Sequence, residues 1–376
     1  MQAPELQADT DKGISGEVWS VHGGGFYHAQ KYQVAPAELP PMLHWFKWEA
    51  YTTFLTGLFM LALMYWYGAE LYLIDPGVMS LSKPVAIVIG MATLVLGWIV
   101  YDRLCHSKLG SNDLHLGIVM FVLLVLVAYG LCQVFSGRGA YMHFGSMLGT
   151  IMVANVFFVI IPGQKDLVTA KLEGRSPDPI HGIRGKQRSV HNTYFTLPVL
   201  LVMISNHYAM TYAHEWNWLI LIALSLAGAL VRVYFVQRHK GKGSPLVLGA
   251  AAALLGAVIW ALAPKSETVA VDAAATGTTS AAAGVAADTP IAFSEVQGIV
   301  IARCAGCHAA VPSYPGFIVA PKGIVLDSAD TIFGYKEQIY QQSVVTKAMP
   351  IGNLTGMTDD ERATIGAWLA QGAPVE

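Results

Sequence analysis

The sequence predicts an all-α fold in two unequal parts: a polytopic bundle of transmembrane helices, then a small helical domain of different character. Three observations predict it. The 376 residues are 54% hydrophobic but only 13% charged, against roughly 25% charged in soluble domains. The apolar residues come in long blocks, each near the ~20 residues that a bilayer crossing needs, in a number and length that the buried helices of a soluble protein do not reach. After residue 263 the composition turns to Ala, Thr, Gly and Ser, and beyond Pro290 it becomes that of a compact soluble domain.

Taken in order, residues 1–50 read as a segment on the inner face ahead of the first span. The membrane domain covers 51–263, with seven expected helices at about 51–74, 84–101, 113–135, 141–162, 191–212, 216–236 and 245–263. The fourth carries Gly145 and Gly149 at the small-xxx-small spacing that lets helices approach closely. Residues 264–290 read as a flexible linker, and 291–376 as the C-terminal domain. There Val296, Val300 and Cys304 fall at i, i+4 and i+8, one stripe of a helix. Thr358-x-x-Glu361, with Asp359 and Asp360 in the first turn, reads as a capping box, and Ile365, Trp368 and Leu369 give the helix behind it one apolar face.

The chemistry of the C-terminal domain is written in Cys304-Ala305-Gly306-Cys307-His308. C-x-x-C-H is the attachment signature of a c-type haem. Two thiols at this spacing each add to one porphyrin vinyl group, and the adjoining histidine becomes the proximal iron ligand. A zinc site would need a second ligand pair nearby, and no cysteine lies between Cys132 and the motif. A methionine thioether is the common second axial ligand in electron carriers. Met349, before Pro350, is the candidate; Met357 ranks lower because it adjoins the capped helix. The expectation is a class I-like cytochrome c domain.

Lysine and arginine placement sets the orientation. With the C-terminal domain outside, Lys12, Lys31, Lys47, Arg103, Lys108, the cluster from Lys165 to Arg188, Arg238, Lys240 and Lys242 all fall inside, while the opposite loops carry only Lys83 and Arg138. In a bacterium the outer side is the periplasm, where haem c is attached. A net charge of −2 with no basic stripe gives no sign of nucleic-acid binding. Cys105 and Cys132 are separated by mostly helix, roughly 40 Å at 1.5 Å per residue, too far for a disulfide.

Several strings carry a resemblance. They are Gly16-Glu17-Val18-Trp19-Ser20-Val21-His22-Gly23-Gly24-Gly25-Phe26-Tyr27-His28, Leu43-His44-Trp45-Phe46-Lys47-Trp48-Glu49-Ala50-Tyr51, Gly149 through Phe158, Lys186-Gln187-Arg188-Ser189-Val190-His191-Asn192 and Ser205-Asn206-His207-Tyr208. On these, over nearly its whole length, the chain resembles the bacterial membrane-bound urate oxidases that carry a C-terminal cytochrome c domain. The resemblance implies oxidation of urate to 5-hydroxyisourate with water as the oxygen source. Electrons would leave through the haem to a respiratory acceptor such as a soluble cytochrome c or a terminal oxidase, in the bacterial inner membrane. It also implies a further transmembrane helix ahead of Met1.

Urate is a planar anion, so its site calls for basic, amide and aromatic groups, and its oxidation for a base. The inner-face segments offer His22, His28, Lys31, His44, Lys47, Trp48, Glu49, Arg188, His191 and Asn192, with Gly23-Gly24-Gly25 allowing close backbone approach. Arg188 is the choice for anion binding and His191 for proton removal, with His22 and His28 as further candidates. The bland reading is a solvated loop with interfacial aromatics and snorkelling lysines. A second polar group lies near the outer face: Arg138, Tyr141, His143, Asn206 and His207. A non-covalent haem b ligated by His143 and His207 is one reading of it; interhelical hydrogen bonding is the other. Against the enzyme stands a membrane-anchored cytochrome c electron carrier, or a quinone-linked cytochrome subunit, with no urate chemistry. An anchor needs a single helix and no histidine-rich loops.

Overall fold

The computed structural model describes residues 7–75, 77–238, 241–263, 290–314, 317 and 320–375. The expected linker lies, except for its last residue, outside the described residues. The N-terminal segment holds a short helix α1 (Gln7–Asp11) and two antiparallel strands, β1 (Ile14–His22) and β2 (Gly25–Tyr32). The bundle comprises α2 (Trp48–Leu61), α3 (Ala69–Tyr72), α4 (Lys83–His106), α5 (Asp113–Val134), α6 (Gly137–Ala154), α7 (Ile161–Leu172), α8 (Pro179–Ser205), α9 (Ala209–Tyr212), α10 (Asn217–Arg238) and α11 (Pro245–Leu262). The C-terminal unit has α12 (Phe293–Arg303), α13 (Ala329–Gly334), α14 (Lys336–Ile339) and α15 (Asp359–Ala370).

Five helices among the described residues are long and apolar enough to cross a membrane: α4, α5, the continuous run Gly137–Leu172, α10 and α11. The sequence reading expected seven. The first expected span is helical, but it passes through a π-helical turn at Ala62–Tyr67 and breaks at Gly68. The fifth, α8, opens with a polar stretch carrying His181, Arg184, Lys186 and Arg188, so only its second half is free of charged residues. It ends at Ser205, so His207 sits in the turn beyond it rather than on one helix with His191. The fourth span also runs on past Pro162, because a π-helical turn at Asn155–Ile160 reshapes the helix just before a residue that cannot donate a backbone hydrogen bond.

The all-α expectation is corrected at the N-terminus, where the sheet is two-stranded. Gly23 and Gly24 have φ of 57° and 81°, and His22 pairs with Gly25 across them. A two-residue loop with both φ positive is the type I′ hairpin turn, which suits the right-handed twist of the strands. The glycines therefore close a hairpin.

α6 is the centre of the bundle and packs against α2, α4, α5 and α8. Tyr141, Phe144, Leu148 and Ile151 are fully buried along it. Small residues make this possible: a Cβ on Gly145 would stand 2.6 Å from Val202 of α8, and one on Gly90 of α4 would stand 2.6 Å from His143.

The C-terminal unit has its own core. Val296, Val300 and Cys304 are buried as a stripe of α12 and its cap, against Phe293, Ile365 and Trp368. Phe293 and Trp368 lie 5.6 Å apart, and the indole N–H donates to the Pro374 carbonyl at 2.9 Å. The capping box is present: the Thr358 side chain accepts from the Glu361 amide while Glu361 accepts from the Thr358 amide.

Candidate functional site

In the C-terminal unit, α12 ends at Arg303 and delivers the motif as a tight turn, with the His308 amide donating to the Cys304 carbonyl at 2.9 Å. Cys304, Cys307 and His308 line one side of a cleft; Met349, Pro350, Ile351, Leu354, Thr355, Phe317 and Pro321 line the rest. His308 Nδ1 donates to the Ile324 carbonyl at 3.0 Å, which fixes the tautomer and leaves Nε2 as the lone pair for a metal. Met349 is held from two sides: its amide donates to the Gln342 carbonyl, and its carbonyl accepts from Arg362 at 2.9 Å. Arg362 also binds the Ser343 carbonyl. Met357, by contrast, is 3% exposed and belongs to the apolar core. Arg303 closes one rim, paired with Glu361 at 2.9 Å and donating to the Thr355 carbonyl. Burial pushes the Cys304 thiol up to about 11, so it is a neutral thiol here and not an activated thiolate.

A second site is built where α4, the π turn after α6 and α8 meet. Arg188 is 2% exposed. Its Nη2 pairs with Asp102 at 2.8 Å, and its guanidinium lies 4.9 Å from the centre of the Tyr101 ring. Tyr101 hydroxyl is 2.8 Å from His191 Nδ1, and Asn155, fully buried in the π turn, donates to that hydroxyl at 3.1 Å and to Asn192 at 2.8 Å. His106 joins at the exposed edge, 3.4 Å from Asp102. The structure thus brings Arg188, His191 and Asn192 together and adds three residues that the sequence reading missed: Tyr101, Asp102 and Asn155. Asp102 carried a readable signal, an acid closing an apolar run and four residues ahead of a histidine, since ionisable groups at membrane depth are rarely idle. The charge of Arg188 is matched by Asp102.

His22 and His28 stand elsewhere. His28 lies directly across the ladder from Trp19, stacked on it at 4.0 Å, and contacts Glu17 at 2.9 Å. His22 is exposed at the end of β1. Neither joins the Arg188 group. Just beyond the hairpin, Leu39, Pro40, Pro41, Leu43 and Trp45 form a groove with Val168 and Leu172 at the end of α7.

The outer polar group is a hydrogen-bonded structure. His143 is fully buried, its Nδ1 bonded to the Gly139 carbonyl at 2.9 Å and its Nε2 accepting from the Trp66 indole at 3.1 Å. Both ring nitrogens are thereby hydrogen-bonded, and His207 is exposed. Of the two readings of this group, interhelical hydrogen bonding describes what His143 does. Asn206 accepts from Arg138 at 2.8 Å and from Tyr65 at 3.2 Å, and Tyr141 reaches the Thr211 and Asn217 carbonyls.

Compared with known proteins, residues 2–263 match the family described as urate oxidase N-terminal. The chain belongs to that family. No curated protein and no solved structure matches it. As a urate oxidase family member it is an oxidoreductase with a function related to urate oxidation, and its apolar helices are those of a membrane protein. The match covers the hairpin, the bundle and the Arg188 group, and stops before the C-terminal unit.

Proposed function

We propose that this protein oxidises urate to 5-hydroxyisourate in the membrane bundle, with water as the oxygen source, and passes the electrons to a haem c in its C-terminal unit and on to a respiratory one-electron acceptor. The observation that carries the reading is the buried group Asp102–Arg188–Tyr101–His191–Asn155, in a chain whose family acts on urate. Every member is hydrogen-bonded, so the side chains are held in place before substrate arrives. His191, held by Tyr101 through Nδ1, is the proton acceptor in the tautomer whose Nδ1 donates to the Tyr101 hydroxyl and leaves Nε2 free. Arg188 supplies N–H donors of the kind that a planar, carbonyl-rich anion needs, and Asn155 positions Tyr101 and Asn192 beside it. Asp102 and His106 run from this group to the exposed edge and offer the released protons a way out. His22 and His28, on the hairpin, belong to the inner-face surface rather than to this group.

The C-terminal cleft fits a haem by its donor set: two thiols, an imidazole with a free Nε2 and a thioether around an apolar space. Among the described residues no three His, Cys, Asp or Glu side chains gather to hold a metal ion. A haem iron takes four ligands from its porphyrin and asks the protein for only one or two. When bound, the group would supply one-electron storage; Cys304 and Cys307 would hold it covalently, and His308 and Met349 would ligate its iron. The lysine and arginine asymmetry supports a periplasmic side for this unit.

Anaerobic addition of urate to membranes containing the protein should raise the α-band of reduced haem c. His191→Gln should slow that rise by about a hundredfold or more while ascorbate still reduces the same amount of haem. A wild-type rate in the variant would move the chemistry away from His191. For the iron, Met349→Ala should remove the thioether-to-iron absorption and lower the reduction potential. Met357→Ala should leave both in place and instead cost about 2–5 kcal/mol of stability as a core truncation; the reverse pattern would exchange the two assignments.

A further inference from the structure

The C-terminal unit does not merely follow the bundle in sequence. Its loop Ile351–Asn353 touches α3. A Cβ added to Gly352 would stand 3.2 Å from the Ile74 carbonyl and 4.0 Å from that of Leu71, and Gly352 has φ of 55°, a conformation natural to glycine. Ile351 and Leu354, on either side, line the cleft with His308 and Met349. The loop is stiffened from within, Asn353 donating to the Met357 carbonyl at 3.1 Å. The receiving surface is equally fixed: Ser136, just before α6, donates from its amide to the Leu73 carbonyl at 2.9 Å and from its hydroxyl to the Tyr72 carbonyl at 2.8 Å. From this clamped segment a run of rings leads inward. Tyr72 lies 6.1 Å from Tyr65, Tyr65 lies 6.1 Å from His143, and His143 is hydrogen-bonded to Trp66.

We propose that the loop Pro350–Leu354 is the electron-entry face of the C-terminal unit, docked on Leu71–Ile74 through Gly352 at the mouth of the Tyr72–Tyr65–His143 ring path. The proposal rests on the reading of the cleft as a haem site. Urate and water yield 5-hydroxyisourate, two protons and two electrons. With a haem held in the cleft, each passage across this contact would carry one electron from the bundle to it, so two passages would complete a turnover, the respiratory one-electron acceptor taking each electron on in turn. A glycine at the apex lets the cleft wall meet the bundle backbone with no side chain between.

The test uses the full chain in membranes. Gly352→Asn adds a Cβ and an amide at the contact, yet asparagine is the residue after glycine that best tolerates a positive φ, so the loop keeps its course. Haem staining and ascorbate reduction should match the wild type, while urate-driven reduction should fall about tenfold or more. Contact is read separately: cysteines at Leu71→Cys and Ile351→Cys should be joined by a short bis-maleimide, seen as one linked peptide by mass spectrometry, and Gly352→Asn should deplete that peptide severalfold. An unchanged urate-driven rate in Gly352→Asn overturns the proposal, as does a linked peptide absent from both backgrounds or equally abundant in both. A linked peptide lost in Gly352→Asn, in a protein whose wild type shows no urate-driven reduction, upholds the docking and removes the urate reading instead.

Discussion

Arg188→Ala should destabilise the bundle by about 3 kcal/mol, the lower end of what removing one partner of a buried ion pair costs. The guanidinium is almost wholly enclosed, whereas Asp102 is 25% exposed and keeps His106 nearby, which limits the penalty on the acid left behind. Asn155 and the Tyr101 ring lose a neighbour as well. The charge, not the volume, dominates. The double variant Asp102→Asn with Arg188→Gln, which strands no charge, should therefore be more stable than Arg188→Ala alone. Thermal unfolding of the detergent-solubilised protein measures both. A double variant less stable than the single one would mean that the pair itself, rather than the avoidance of a lone charge, holds the three helices together. The same logic makes Arg188→Ala a poor probe of catalysis, since lost activity would follow from lost structure.

Cys307→Ser should abolish the haem-stained band on a denaturing gel, an all-or-none effect, because a covalent link survives denaturation and a ligand bond does not. Cys304 and Cys307 line the same cleft as His308, so the two attachments and the axial ligand would act on one porphyrin. The consequence extends to folding. The cleft walls are apolar, from Phe317 and Pro321 to Ile351 and Leu354, and a unit of this size gains little from its own core alone. A haem filling the space would complete that core, so Cys307→Ser should also lower the yield of folded C-terminal unit, read as increased protease sensitivity of residues 290–375. A stained wild-type band that persists in Cys307→Ser would assign the attachment to Cys304 alone.

The long apolar runs were legible because a bilayer imposes a local pattern, and the Cys304–His308 motif because its residues are contiguous in the chain and line one cleft. What escaped was mostly punctuation. Asp178 caps α8 by accepting from the Ile180 amide, and Pro179 occupies its first position; both are ordinary start signals, but the polar residues behind them masked a helix that begins well ahead of 191. Gly23-Gly24 between two alternating segments is a hairpin signal that the all-α expectation leaves out. The partnership of Arg188 with Asp102 joins residues far apart in sequence, and no local pattern announces it. Nor does any residue type announce the π turn that aims Asn155 at Tyr101 and Asn192.

That turn has a consequence for how the longest helix in the bundle can change. A π turn holds one residue more than the α-helix around it, and each residue in a helix turns the chain by about 100°. The extra residue is taken up inside the turn, so the outer half, which sets Gly145 against Val202 and His143 against Trp66, and the inner half, which sets Gly163 against His181, face as they would in a helix one residue shorter. Losing one residue between 155 and 160 would let the turn close to α-helix with Gly163 still against His181, and would cost only the bulge that aims Asn155 at Tyr101 and Asn192.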